Sequence, residues 1–348
     1  CTHFDWMDNQ RDHVAATLLA SLFEFASLLC LIGFVFAEAS ALRFVLATIG
    51  TLLVAVWYPF QYKILSIQPK ARPKLSELEF SGTKPTVPFV VLATQRTGSN
   101  MLCGYLGSHP QILMHNEIFN EVGIFSERQH ESSSTTTTTT TTAITNTNSV
   151  DAIGNRDSDP TAFLQKAYEA ADGSTEKAVG FKLFPEHITR SETNLKLFNS
   201  VLRDPRIRKI ILVRENRLAV VMSVLRASIS GQYTHKNHDE IPLDFKPSEL
   251  NSFIESYDAY YEWLESRTRS TPVHRVSYEE LADENTRDEA LNSIAGFLEI
   301  DSCDSWKTPY DKQSSSFEES TENLVCYKRL QRAFKEHPMY EKWGFLFN

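Results

Sequence analysis

Phe89-Val90-Val91-Leu92-Ala93, running straight into Thr94-Gln95-Arg96-Thr97-Gly98-Ser99-Asn100, is the stretch on which the fold turns. Five apolar residues in a row, without alternation, predict a strand buried on both faces, as in a parallel sheet. The residues after Gly98 predict a helix over 100–106, with Gly107 as its stop. A strand, a tight turn and a helix start make an anion cradle, because successive backbone N–H groups point the same way. Gly98 lets the backbone approach a phosphate closely. Ser99 and Asn100 add a hydroxyl and an amide, and Ser99 is also placed to cap the helix. Arg96 supplies a planar fork for phosphate or sulfate oxygens. A triphosphate loop would read GxxxxGK[ST]. Here the first glycine and the lysine are both missing, so the turn is an anion site of another kind.

The same alternation continues outward. Short apolar runs predict strands at 111–115, 177–183, 208–213 and 273–276, with helices over 217–230 and 247–267. In the second helix Leu250, Phe253, Ile254, Tyr257, Tyr261 and Leu264 share one face, so its aromatics read as core. Strands separated by helices imply an α/β fold, a P-loop-like three-layer parallel sheet with helices on both faces. Ligands of such sheets bind beyond the carboxyl ends of the strands.

Upstream, residues 14–60 are strongly apolar and yield two spans, 14–36 and 41–60. Each reaches the length of about 20 residues that crosses a bilayer. Glu24 and Arg43 fall inside them, charges that must face protein or water. The expectation is an N-terminal membrane-anchor region over 1–62, with one or two membrane helices, and a proline-bearing linker over 63–87. Lys63, Lys70, Arg72 and Lys74 favour a cytosolic domain. The Ser/Thr-rich tract within 130–158 shows no apolar period and predicts a disordered insertion.

Net charge is −9, which argues against a nucleic-acid surface. Cys1, Cys30, Cys103, Cys303 and Cys326 are widely spaced and include no CxxC pair, so neither a disulfide framework nor a zinc site is expected. A second cation ends a strand at Arg214. Ser223 lies nine residues on, about two turns into the next helix, so both are expected to converge on one phosphate.

Taken together, these segments resemble the sulfotransferase family. The loop 95–100 is similar to the Arg-Thr/Ser-Gly-Ser variant of nodulation-type and Golgi carbohydrate sulfotransferases, where cytosolic enzymes carry a lysine. The stretch 108–120, with Pro110, Glu117 and Phe119, resembles the family's proline-then-Glu-x-Phe segment. Val276-Ser277-Tyr278-Glu279-Glu280-Leu281, Lys312-Gln313 and Glu322-Asn323 resemble later elements, in the family's order. The chain departs from the pattern at Glu215, where nodulation-type relatives often have a second arginine, and in the Arg214–Ser223 spacing, one residue longer than in cytosolic enzymes.

The resemblance implies 3′-phosphoadenosine 5′-phosphosulfate as donor and a hydroxyl acceptor, a carbohydrate or lipid-linked one. It implies no metal, since the donor carries its own leaving group. Gln95, Arg96, Thr97, Gly98, Ser99, Asn100, Arg214, Ser223 and Lys312 would hold the donor. Glu117 would be the general base, buried and with a raised pKa, and His115 is its rival. Lys182, at a strand end, would meet the sulfuryl group or the acceptor, and Arg226 would meet an acidic acceptor. Tyr233, His235 and His238 lie in a polar loop where acceptor contacts could sit. A Golgi or other endomembrane location follows from the same resemblance, with the side of the membrane left open. Two other readings compete: a P-loop kinase-like enzyme, and an inactive membrane-tethered nucleotide-binding protein of the same fold. Oligomeric state is not legible.

Overall fold

Runs of apolar residues that bury both faces assemble into the centre of a sheet. The computed structural model describes residues 86–126, 147–169, 175–231, 241–310 and 324–335. Its strands are β1 (Val87–Leu92), β2 (Ile112–Met114), β3 (Ala178–Leu183), β4 (Arg208–Val213) and β5 (Val273–Ser277). All pair in parallel, in the order β2-β3-β1-β4-β5. The central strand is the one whose residues 89–92 are wholly shielded from solvent.

The helices between them are α1 (Ser99–Gly107), α2 (Val150–Ser158), α3 (Pro160–Ala167), α4 (Pro185–Thr189), α5 (Glu192–Arg203), α6 (Arg217–Ser230), α7 (Pro247–Thr268), α8 (Tyr278–Ala282), α9 (Arg287–Phe297) and α10 (Tyr327–Lys335). Alternation along each strand divides the core in two. Val90, Leu92, Val179, Phe181 and Ile211 pack with α5, α6 and α7. Phe89, Val91, Ala93, Ile210 and Leu212 pack with α1 and α9 on the other side. Each fully buried Val, Leu, Ile or Phe contributes about 1.5–3 kcal/mol. Gly180 in β3 serves the second core, since a Cβ there would come within 2.5 Å of the Phe89 ring.

The aromatic face of α7 is core, as its spacing predicts, and it also braces the strand ends. Tyr261 Oη donates to the Leu212 carbonyl at 2.8 Å, and Tyr257 Oη donates to the Arg214 carbonyl at 3.1 Å.

Three details differ from the sequence reading. Helix α2 stands inside the stretch 130–158 expected to be disordered. It lacks apolar periodicity because the side chain that anchors it is Arg156, 1% exposed. Gly107 does not stop α1 in a left-handed conformation. The cap is Ser108 in the right-handed region, and Pro110 ends the run two residues later. Helices α2, α3, α4, α5, α8, α9 and α10 are additional to those the sequence predicts. The expected spans at 14–36 and 41–60, the linker up to residue 85 and the Ser/Thr tract at 127–146 lie outside the described residues. Among the described residues no helix is long and apolar enough to cross a membrane.

Candidate functional site

The parallel register brings three strand ends level. Leu92 pairs with Leu183 on one side and with Ile211 on the other. Three positions further along each chain (95, 186 and 214 against 92, 183 and 211) stand Gln95, Glu186 and Arg214. Ser277 pairs with Val213, so Tyr278 stands beside Arg214. The segments that leave four strands therefore start from one carboxyl edge.

The loop between β1 and α1 has an unusual backbone. Arg96 (φ 64°) and Gly98 (φ 85°) both lie in the left-handed region, with Thr97 between them. Turns of this kind aim backbone N–H groups into a concavity. Thr97 Oγ1 donates to the Thr94 carbonyl at 2.7 Å and closes the turn. Ser99 does not cap α1. It is the first helical residue, Gly98 is the cap, and no side chain bonds to the helix start. The first amides of α1 therefore face the loop.

Gly98 is required twice over. Its conformation strains any other residue by about 1–2 kcal/mol, and a Cβ there would meet the Tyr278 ring at 2.5 Å. Gly98→Ala is expected to lower the thermal midpoint by several degrees, at about 2–4 °C per kcal/mol for a chain of this size. It should also weaken anion binding about tenfold. Calorimetry reads both effects, and an unchanged midpoint with unchanged binding would remove the argument.

Arg96 and Arg214 come together on this loop. Arg214 Nη1 donates to the Arg96 carbonyl at 3.1 Å, and the Arg214 guanidinium lies 4.2 Å from the Tyr278 ring centre. Ser223 reaches the same loop as Arg214, through Arg96. It accepts from Arg96 Nε at 2.9 Å. Glu279 accepts from the Glu215 and Asn216 backbone amides at 3.1 Å each. Arg214 is positioned through its backbone, whose N–H donates to Tyr257 Oη at 2.8 Å. Its Nε is buried with no hydrogen-bond partner among the described residues. That orphaned donor and the Gly98 concavity fit a ligand with more than one anionic group.

The sulfotransferase family model matches residues 88–304. The chain belongs to the sulfotransferase family. Among solved structures, it is similar to a sulfotransferase from Alicyclobacillus acidocaldarius, with 16% identity and a TM-score of 0.40, over 75% of this chain and 95% of the other. The comparison with curated proteins finds no match.

Beside the anion loop, this sulfotransferase carries a second polar cluster. Lys182, in β3, is 1% exposed rather than a surface lysine. Its Nζ pairs with Glu117 Oε1 at 2.9 Å and donates to Asn100 Oδ1 on α1. It also lies 5.1 Å from the Phe184 ring centre. Asn120 Nδ2 donates to Glu117 Oε2 at 2.7 Å, and His187 Nε2 approaches the same oxygen at 3.6 Å.

The expected raised pKa of Glu117 is corrected. Burial does push the carboxyl up, but Lys182, His187 and the hydrogen bonds from Lys182 and Asn120 together hold it below the ordinary carboxylate value. Burial pushes His187 down to about 4, and Lys182, Arg156 and Arg190 push the same way against Glu117. His187 is thus neutral at pH 7. The Phe184 N–H donates to its Nδ1 at 3.2 Å, so Nε2 carries the hydrogen that faces Glu117.

The loop that bears Glu117 is fastened from behind. Arg156 Nη1 donates to the carbonyls of Ile118, Asn120 and Gly123 at 3.1, 2.6 and 3.1 Å. This anchor was invisible in the sequence, because it sits in a stretch without apolar period. His115, the rival base, is core. It is 2% exposed, with Nδ1 2.8 Å from Ser126 Oγ and Nε2 3.2 Å from the Ala167 carbonyl. Arg226 is buried too, and its Nε donates to the Ile241 carbonyl at 3.3 Å. Lys312, Tyr233, His235 and His238 lie outside the described residues.

The sequence reading missed Glu186. Its Oε1 accepts from Gln95 Nε2 at 2.6 Å. The available signal was an acid shortly after a strand end, in Pro185-Glu186-His187.

Proposed function

We propose that this sulfotransferase moves the sulfuryl group of 3′-phosphoadenosine 5′-phosphosulfate to a hydroxyl, that of a carbohydrate or a glycolipid. The observation that carries the donor half is the Arg96–Arg214 pair. The Arg214 guanidinium is tied to the Arg96 carbonyl, and the Arg96 guanidinium leaves the same turn to meet Ser223, so two cations stand at one glycine loop. A donor with phosphates at both ends of its ribose supplies two anionic groups to match. Arg96 and the backbone amides of Thr97, Gly98 and Ser99 would hold the charge that develops on the leaving 5′-phosphate. Arg214 would hold the 3′-phosphate. Neutralising a leaving group in a loose, in-line transfer is where such a site contributes most. On the other side of the loop, Lys182 faces the sulfuryl position, with Asn100 and Glu117 fixing its amine.

Among the described residues there is no cluster of His, Cys, Asp or Glu suited to a metal ion. The apolar stretch 14–60 supports a membrane anchor, and with it a Golgi or other endomembrane setting, as part of the same proposal. A lipid-linked or glycan acceptor suits an enzyme held at a membrane surface.

Isothermal titration with adenosine 3′,5′-bisphosphate tests the donor assignment. The expected result is binding at least about tenfold tighter than that of ATP, a difference of about 1.4 kcal/mol. Binding of ATP alone would favour a kinase-like enzyme. Binding of the bisphosphate without transfer from ³⁵S-labelled donor to any member of a hydroxyl panel would favour an inactive binding protein.

A further inference from the structure

Two carboxylates lie within electrostatic reach of Lys182, and their surroundings push them in opposite directions. Glu117 is ion-paired to Lys182 Nζ at 2.9 Å, accepts from Asn120 and is held low. Glu186 is dominated by burial, and Glu117 adds to that with its like charge. Gln95, its own backbone amide and Lys182 pull the other way, and the balance leaves Glu186 at about 7. The charged groups among these are Lys182 from β3 and Glu117 from the loop after β2. On its own helix, His187 is neutral. When two neighbouring acids are separated in this way, one stays ionised and the other is free to exchange a proton near neutral pH.

Geometry sets Glu186 apart as well. It follows the end of β3, the strand beside β1, and its Oε1 accepts at 2.6 Å from Gln95, the residue next to Arg96. Glu117 reaches the site from the loop after β2, with both oxygens engaged by Lys182 and Asn120. We propose that Glu186 takes the acceptor's hydroxyl proton, and that Glu117 is a positioning residue that holds Lys182. This rests on the sulfotransferase reading above. In the step, the bond from acceptor oxygen to sulfur forms as the bond from sulfur to the 5′-phosphate oxygen breaks. The bonding pair leaves on the phosphate, and the hydroxyl proton passes to the Glu186 carboxylate and then to solvent. The products are a sulfate ester and adenosine 3′,5′-bisphosphate.

The test is the pH profile of single-turnover transfer from ³⁵S-labelled donor to the most reactive hydroxyl of the panel. The wild-type rate should rise with pH through the region near 7 and level off above it, since the base must be ionised. Glu186→Gln should lose about 100-fold in rate and lose that limb. Glu117→Gln should slow transfer but keep the limb, moved to lower pH, because the like charge that raises Glu186 is gone. Gln95→Met removes a hydrogen bond that lowers Glu186, so the limb should move to higher pH. Retention of the limb in Glu186→Gln, or its loss in Glu117→Gln, overturns the assignment. Titration with adenosine 3′,5′-bisphosphate shows whether each variant is folded, and Glu186→Asp, which keeps the carboxylate, should restore the limb where the glutamine variant fails to fold. Failure of the wild-type chain to transfer at all overturns the reaction itself, and is seen before any variant is compared.

Discussion

Arg96→Ala lowers the affinity for adenosine 3′,5′-bisphosphate by about 100-fold, the expected outcome of removing one charged fork from the anion loop. Hydrogen bonds to charged groups are worth about 1.5–3 kcal/mol each, which converts to roughly 10- to 150-fold. The upper part of that range applies here because Arg96 is pre-set. Its backbone is already left-handed at φ 64°, and its Nε is fixed on Ser223 at 2.9 Å. Little freedom is left to lose on binding. Arg96→Lys should recover only part of the loss, since a lysine amine cannot both hold Ser223 and offer a planar fork. Isothermal titration reads the change. A loss smaller than about threefold would mean that Arg96 supports the loop and does not face the ligand.

The second large effect is on turnover. Lys182→Ala is expected to cut the transfer rate by about 10²–10³, the usual consequence of losing one donor aimed at developing charge. Affinity for the bisphosphate should change far less, because Lys182 contacts Asn100 and Glu117 and not the Arg96–Arg214 pair. Stability should fall as well, by about 3 kcal/mol, since Glu117 loses the cation that compensates its burial. The sign of the pH dependence should invert at this site. In the wild-type chain the folded carboxyl is held below its ordinary value, so its contribution is present above that value and is lost as pH falls through the folded pKa. Without Lys182, burial, the largest influence, dominates. Glu117 then disfavours the fold as pH rises. Denaturant midpoints at pH 5 and pH 7.5 separate the two cases. Both pH values lie above the ordinary carboxylate range, so the wild-type contribution is level between them, and a variant that loses no stability from pH 5 to pH 7.5 relative to wild type would show that Lys182 is not the group holding Glu117 down.

Much of the proposed donor site is legible in the sequence alone, because it is local. The run 89–93 is continuously apolar since both of its faces are buried, and that is a property of one segment. The glycine at 98 is legible because a strand that turns directly into a helix around an anion demands a residue free of a Cβ. Arg214 is legible as a cation at a strand end. Helix α6 begins and ends where its sequence predicts, at Arg217 and Ser230.

What tertiary structure alone decided concerns partners. Gln95 and Glu186 are 91 residues apart, and Arg96 and Ser223 are 127 apart. They meet because β1 lies between β3 and β4, a strand order that no local period encodes. The same order brought Glu186 to Gln95 and Ser223 to Arg96. Burial with specific neighbours then set the acids apart, low for Glu117 and about 7 for Glu186. A carboxyl's pKa is a sum over everything packed around it. The sequence by itself therefore determined the strands, the anion turn and its two arginines. Only the packed sheet decided which side chains those arginines hold and which acid stays charged, because both depend on distances across the fold.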